Sequence, residues 1–168
     1  MDAAVMGKGK TDLVIKMQYK TSKLKTPIVL IPEDGECRID HEFLVPAQVP
    51  LLGGRLVFKV YDDDLTGDEL IGSIHFNVKD YIPDADGNPG RMNGKFDWKN
   101  IYGAPLDCHG NITDKMNENP EIASFWKGRV LMQVTAEETE KPILLVQKLE
   151  SFVVDSAQIH LRPRQYAI

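Results

Sequence analysis

The chain has 168 residues, 42% of them hydrophobic and 27% charged, with 20 basic side chains against 25 acidic ones and a net charge of −5. This length and mixture suit one packed domain with an extension and exclude wholesale disorder. The acid excess argues against a nucleic-acid binder, which is normally basic, but leaves a membrane partner open, because a local basic face acts within a Debye length of about 10 Å whatever the total charge.

Strand character recurs along the chain as period-2 alternation. In residues 13–20, LVIKMQYK, the side chains of Leu13, Ile15, Met17 and Tyr19 share one face and Lys16, Gln18 and Lys20 the other. TPIVLI (26–31) is a short apolar run, and HEFLVPA (41–47) follows it. In RLVFKVY (55–61), Leu56, Phe58 and Val60 point one way; in GSIHFNVK (72–79), Ile74, Phe76 and Val78 alternate with His75, Asn77 and Lys79. GRVLMQV (128–134) alternates again, and ILLVQKL (143–149) has the composition of a further strand. Short strands separated by turn residues predict an antiparallel sandwich.

Helical pattern is confined to TDKMNENPEIASFWK (113–127), where Thr113 or Asp114 suits a cap and Pro120 suits the first position of a second helical piece. It lies in a long connection, 83–127, rich in Gly, Asn, Asp and Pro, of the kind that faces a partner when it interrupts a compact domain. Trp98, Tyr102, Phe125 and Trp126 in and beside it are expected to pin it to the sandwich by burial. Residues 1–149 are read as one domain and 150–168 as a linker towards a following one.

Cys37 and Cys108 are too few for a disulfide scaffold and read as free thiols. The N-terminus MDAAVMGKGK has no apolar core of the signal-peptide kind, so the sequon NIT at 111–113 reads as accidental. No apolar run approaches the 18 residues of a membrane span. His41, His75, His109 and His160 are scattered, with no nucleophile and acid at a recognisable spacing, and no Gly-rich phosphate loop occurs; a catalytic role is not expected.

The densest chemistry is VYDDDLTGDELIG (60–72), with Asp62, Asp63, Asp64, Asp68 and Glu69 between two strands. Calcium takes six to eight oxygen ligands, mostly carboxylates and carbonyls. In an extended segment residues i and i+2 point the same way, so Asp62 and Asp64 project together, Asp63 points out, and after the turn at LTG either Asp68 or Glu69 returns to the same point. A helical EF-hand is excluded, because the twelfth position from Asp62 is Ser73 where a bidentate Glu is needed. DADGN (84–88) fails likewise, with Pro89 sixth and Lys95 twelfth, and reads as a turn.

RLVFKVYDDDLTGDELIGSIHF resembles the third calcium-loop region of a C2 domain, and GKGKTDLVIKMQYKTSKLKT (7–26) is similar to the first-loop signature, with HEFLVP (41–46) matching the strand that follows. FLVPAQVPLLGGRLVFKVYDDD, WKNIYGAP (98–105), MNENPEIAS (116–124) and WKGRVLMQV (126–134) resemble an internal C2 domain of the ferlins, and LRPRQYAI resembles the opening strand of the next such domain. The resemblance implies an eight-stranded antiparallel C2 β-sandwich carrying a long, partly helical insertion. It also implies a parent protein that is tail-anchored, faces the cytosol and acts in calcium-linked vesicle fusion, exocytosis and membrane repair. Since so few residues precede the first loop, either the chain starts inside the first strand or 143–149 fills that place in a permuted topology.

The C2 pattern places two acids in the first loop and three in the third. Asp12 matches the second, Met6 stands where the first belongs, Asp62 and Asp64 match in the third loop, and Asp68 and Glu69 compete for the last position. One missing acid implies weak Ca²⁺ binding or a single ion, since affinity tracks ligand charge; the other reading is an acidic loop that stays solvated. Met6 and Leu65 at the loop tips, with Lys8 and Lys10 beside Asp12, suit docking on anionic phospholipid. Lys16, Lys20, Lys23 and Lys25 form a second basic set of the kind some C2 domains use for phosphoinositides, although a solvated strand face reads the same way. The rival function is a calcium-independent module that packs against proteins or neighbouring C2 domains, and a third possibility makes the 83–127 connection the working surface.

Overall fold

The alternation that marks the strands also decides their pairing. The computed structural model describes residues 11–32, 35–47, 54–64, 67–84 and 86–139. Within them the chain forms β1 (Thr11–Tyr19), β2 (Ser22–Lys25), β3 (Val29–Ile31), β4 (Arg55–Asp64), β5 (Gly67–Asn77), β6 (Phe96–Gly103), the helix α1 (Asn111–Glu118) and β7 (Phe125–Gln133). All neighbours are antiparallel, in the order β2-β1-β4-β5-β6-β7 with β3 also pairing β1. The protein is thus mostly β, an antiparallel sheet of seven strands with one short helix, consistent with the expected sandwich.

The inward side chains of β1, β4 and β5 make the core: Leu13, Ile15, Met17 and Tyr19 meet Leu56, Phe58 and Val60, then Ile71, Ile74 and Phe76. Phe58 and Phe76 meet edge to face at 5.5 Å between ring centroids, and Phe76 meets Tyr81 at 5.9 Å, the offset geometry aromatic quadrupoles favour. β6 joins β5 through the single pair Ser73–Tyr102, so the sheet is nearly divided there. Gly72 lets the two strands approach this closely, because a Cβ on it would lie 2.6 Å from the Tyr102 carbonyl oxygen.

A buried side chain holds this seam. Asn117 of α1 is 4% exposed; its Nδ2 donates to the Leu70 carbonyl at 2.6 Å and its Oδ1 accepts from the Ala104 N–H at 2.7 Å. Its own carbonyl accepts from Ser73 Oγ at 2.8 Å. A short helix is marginal alone, and Asn117 ties this one to both β5 and the end of β6.

Several expectations change. Seven strands rather than eight occur among the described residues, and 143–149 and 150–168 lie outside them. Residues 41–47 form no ladder: Phe43 and Val45 still pack on the core, but Asp40 takes a positive φ of 41° and breaks the extended run. The span 83–127, expected as a long, partly helical insertion, contains β6, which belongs to the sheet, and one eight-residue helix with turns. Helix α1 begins after Gly110 at a φ of 66°, before Thr113, and Pro120 lies in a turn where Asn119 Oδ1 accepts from the Glu121 N–H. Residues 84–88 form the expected turn, Asp84 accepting from the N–H groups of Asp86 and Asn88.

Asn117→Ala would strand a buried N–H at Ala104 and a carbonyl at Leu70. We expect it to lower the unfolding free energy by roughly 2–4 kcal/mol, read from the urea midpoint at an unchanged m-value. Ser73→Ala, which leaves only one acceptor short, is expected to cost roughly 1 kcal/mol.

Candidate functional site

The strand register sorts the five acids into two groups. Leu13 opposes Asp62 across β1 and β4, and Asp62 opposes Glu69 across β4 and β5, so Asp62 and Glu69 share the core-side face beyond the last core residues. Asp63 opposes Asp68 on the outer face. This assignment follows from a bulge in β5: Val60 pairs with Gly72 but Tyr61 pairs with Leu70, leaving Ile71 as the extra residue. A bulge reverses the alternation beyond it, which turns Glu69 towards the face of Asp62 and Asp64, and Asp68 away.

The two groups differ in compensation. On the outer face Lys16 Nζ forms an ion pair with Asp68 and lies 4.2 Å from the Tyr61 ring centroid. Hydrogen bonds from Lys16 and then from Asp63 hold the Asp68 carboxyl below its usual range, while the shared hydrogen bond pushes Asp63 up. On the other face burial pushes the Asp62 carboxyl up, the Asp12 N–H opposes that through its 3.1 Å bond to Oδ1, and the charges of Asp64, Glu69 and Asp12 push it further up. Asp62 therefore sits in negative charge that no ion pair offsets among the described residues.

These side chains are hard oxygen donors and crowd charge around Asp62, which fits a calcium ion in chemistry. Among the described residues, however, no three carboxylate, His or Cys side chains converge closely enough to hold an ion. Met6, Lys8, Lys10 and Leu65 lie outside the described residues.

The basic set is continuous across the sheet. Lys16 opposes Lys25 of β2 on one side and Lys59 of β4 on the other, a transverse row of three cations on the face away from the core. One step along, Gln18 opposes Lys23 and Val57. A groove of about 570 Å³ opens beside them, lined by Lys20, Arg55, Lys59 and His75 with Gln18 and Glu118. Burial, then the Arg55 charge, pulls the His75 pKa down, and Arg55 Nη1 lies 3.3 Å from its Nδ1. Nothing local in the sequence marks Arg55 and Lys59, which alternate with the core residues of β4; only pairing with β1 brings them beside the lysines.

Of the four aromatic residues expected to pin the connection, Trp98, Tyr102 and Trp126 are exposed and Phe125 is half-buried. Phe96, Trp98 and Trp126 are 70%, 51% and 45% exposed, because the register places them with Leu131 on the outward face of the paired strands β6 and β7. Arg129 stacks over Trp98 at 4.3 Å. Ile101, Val130 and Met132 supply the inward contacts instead.

The raised Asp62 pKa carries a consequence for stability. A carboxyl whose folded pKa lies above its unfolded value favours the fold while protonated and loses that contribution as pH rises through the folded pKa. Without calcium, Asp62→Asn is therefore expected to raise the melting temperature at pH 7, with the gain vanishing well below pH 4; a lower melting temperature at pH 7 would refute this account of Asp62. Among the described residues no helix is long and apolar enough to cross a membrane. No curated protein matches the chain. A model of the C2 domain matches residues 2–93, more than half of the 168 positions. The match takes in both the acidic loop and the lysine-bearing strands, and the chain belongs to the C2 domain family.

Proposed function

We propose that this C2 domain docks on anionic phospholipid through the outer face of β2, β1 and β4, with calcium adding weakly at the loop end of the same strands. C2 domains are in general membrane-targeting or protein-interaction modules and are typically non-catalytic. The observation that carries the lipid reading is the transverse row Lys25–Lys16–Lys59 beside the groove of Lys20 and Arg55. Clustered lysines near an anionic surface contribute on the order of 1 kcal/mol each, and a flat sheet face presents them together. Lys8 and Lys10, with Met6 and Leu65 at the loop tips, would extend the contact.

For calcium, Asp12, Asp62, Asp64 and Glu69 would hold the ion. Glu69 is preferred to Asp68 as the returning acid because it shares the face of Asp62, whereas Asp68 is engaged by Lys16. A bound cation relieves the repulsion around Asp62 and supplies a charged bridge to lipid phosphate. With Met6 in place of one acid, the affinity is weak or the ion single. The ferlin resemblance supports assigning this docking to vesicle fusion at the cytosolic side of membranes, within a tail-anchored parent, with residues 1–149 as the domain and 150–168 leading to a neighbour. The exposed aromatic face of β6 and β7 favours a second reading, a calcium-independent module that packs against another protein or C2 domain.

Cosedimentation with phosphatidylcholine vesicles, with and without phosphatidylserine, tests the docking. Binding is expected only with the anionic lipid, and Lys16→Ala/Lys23→Ala/Lys25→Ala is expected to weaken it by at least tenfold; equal binding by that variant would remove the face from the account. Calorimetric titration with Ca²⁺ addresses the metal separately. Weak heat is expected from the wild type and none from Asp62→Asn/Asp64→Asn, and a silent wild type at millimolar Ca²⁺ would leave a calcium-independent domain.

A further inference from the structure

The basic face already carries anions of its own. Lys59 Nζ pairs with Glu118 Oε1 at 2.8 Å, and Arg55 Nη2 lies 3.6 Å from Glu121 Oε1. Glu118 is the last residue of α1 and Glu121 belongs to the turn after it. Both lie beyond residues 2–93, the part that matches the C2 domain model. Their cations belong to that part, are held by β4, and line the groove with Lys20 and His75.

Two features distinguish this pairing from ordinary surface ion pairs. First, Glu118 is anchored by its neighbour: Asn117 is buried and tied to Leu70, Ala104 and Ser73. Helix α1 therefore delivers a carboxylate to one fixed place over Lys59. Second, the acid lies outside the cation. The Glu118 side chain is 57% exposed against 25% for Lys59, so the carboxylate can leave for solvent while the ammonium stays in the groove wall.

We propose that Glu118 and Glu121 act as a built-in counter-anion, occupying the groove where a lipid phosphate would sit and leaving only when the domain docks on anionic lipid. This rests on the lipid-docking reading and adds its regulation. Exposed ion pairs are weak, so the exchange needs no unfolding, and the many phosphates of an anionic bilayer displace two carboxylates by number. In free solution they keep Arg55 and Lys59 from casual anions. Lys20, Lys23 and Lys25 carry no ion pair among the described residues, so first contact with the bilayer falls to them, and the groove opens second.

The test is vesicle cosedimentation, using phosphatidylcholine vesicles with and without phosphatidylserine, on three forms of the chain. Glu118→Gln/Glu121→Gln is expected to bind the anionic vesicles roughly fivefold tighter for each acid removed. Glu137→Gln/Glu138→Gln removes the same charge from exposed positions after β7 and is expected to bind within twofold of the wild type. Placed in a Lys59→Ala/Arg55→Ala background, the first pair of changes is expected to give no gain. An unchanged affinity for Glu118→Gln/Glu121→Gln beside a wild type that binds overturns the counter-anion and leaves the docking intact. An equal gain from the control pair overturns it as well, since net charge alone would then explain the effect. Binding by none of the forms overturns both.

Discussion

The antiparallel pairing of β4 with β1 on one side and β5 on the other is the constraint from which the rest follows. β4 alternates core side chains with cations, so one register places Leu56, Phe58 and Val60 in the interior and turns Arg55 and Lys59 outward. The same strand continues past the core into Asp62, Asp63 and Asp64 without changing phase. Acids and cations therefore inherit their faces from the packing of the hydrophobic residues, and slipping the pairing by one residue would exchange them all. The bulge at Ile71 refines this order on β5, where it decides which acid returns to meet Asp62.

Much of this was legible in the sequence, for reasons that differ by element. β1, β4, β5 and β7 alternate between apolar and polar residues because each has one face on the core. The acidic loop was legible as a candidate oxygen-ligand site because i and i+2 acids in an extended segment must point together. β6 was hidden because its large aromatic residues, Phe96 and Trp98, face outward, so the strand looked like part of a connection rather than part of the core. β2 was hidden by its length of four residues, two of them lysine. Residues 41–47 misled in the opposite direction, since their apolar side chains reach the core without a ladder.

The choice between Asp68 and Glu69 was not legible, because a bulge is a property of two paired strands and leaves no mark in one. The same holds for the groove. Lys59 and Glu118 are 59 positions apart, and nothing local in either segment points to the other. Helix α1 has a polar composition that gives it little reason to dock, and its attachment depends on one buried amide, Asn117, whose side chain satisfies an acceptor on β5 and a donor just past the end of β6. Buried polar groups of this kind fix position because leaving them unpaired is expensive.

Lys16 connects the two charged regions. It is the centre of the cation row and, through Asp68, the internal counter-charge of the outer acids. A divalent ion drawing on Asp68 would have to displace an ammonium and leave that charge beside Lys25 and Lys59. Asp62, Asp64 and Glu69 on the other face impose no such exchange, so a cation there adds charge without disturbing the row. A cation held at the loop end would therefore leave the Lys16–Asp68 pair in place, and under the docking proposed above the two contributions would add instead of competing. A net charge of −5 says little about such a surface: its sign at each point is set by which carboxylate the fold places against which cation.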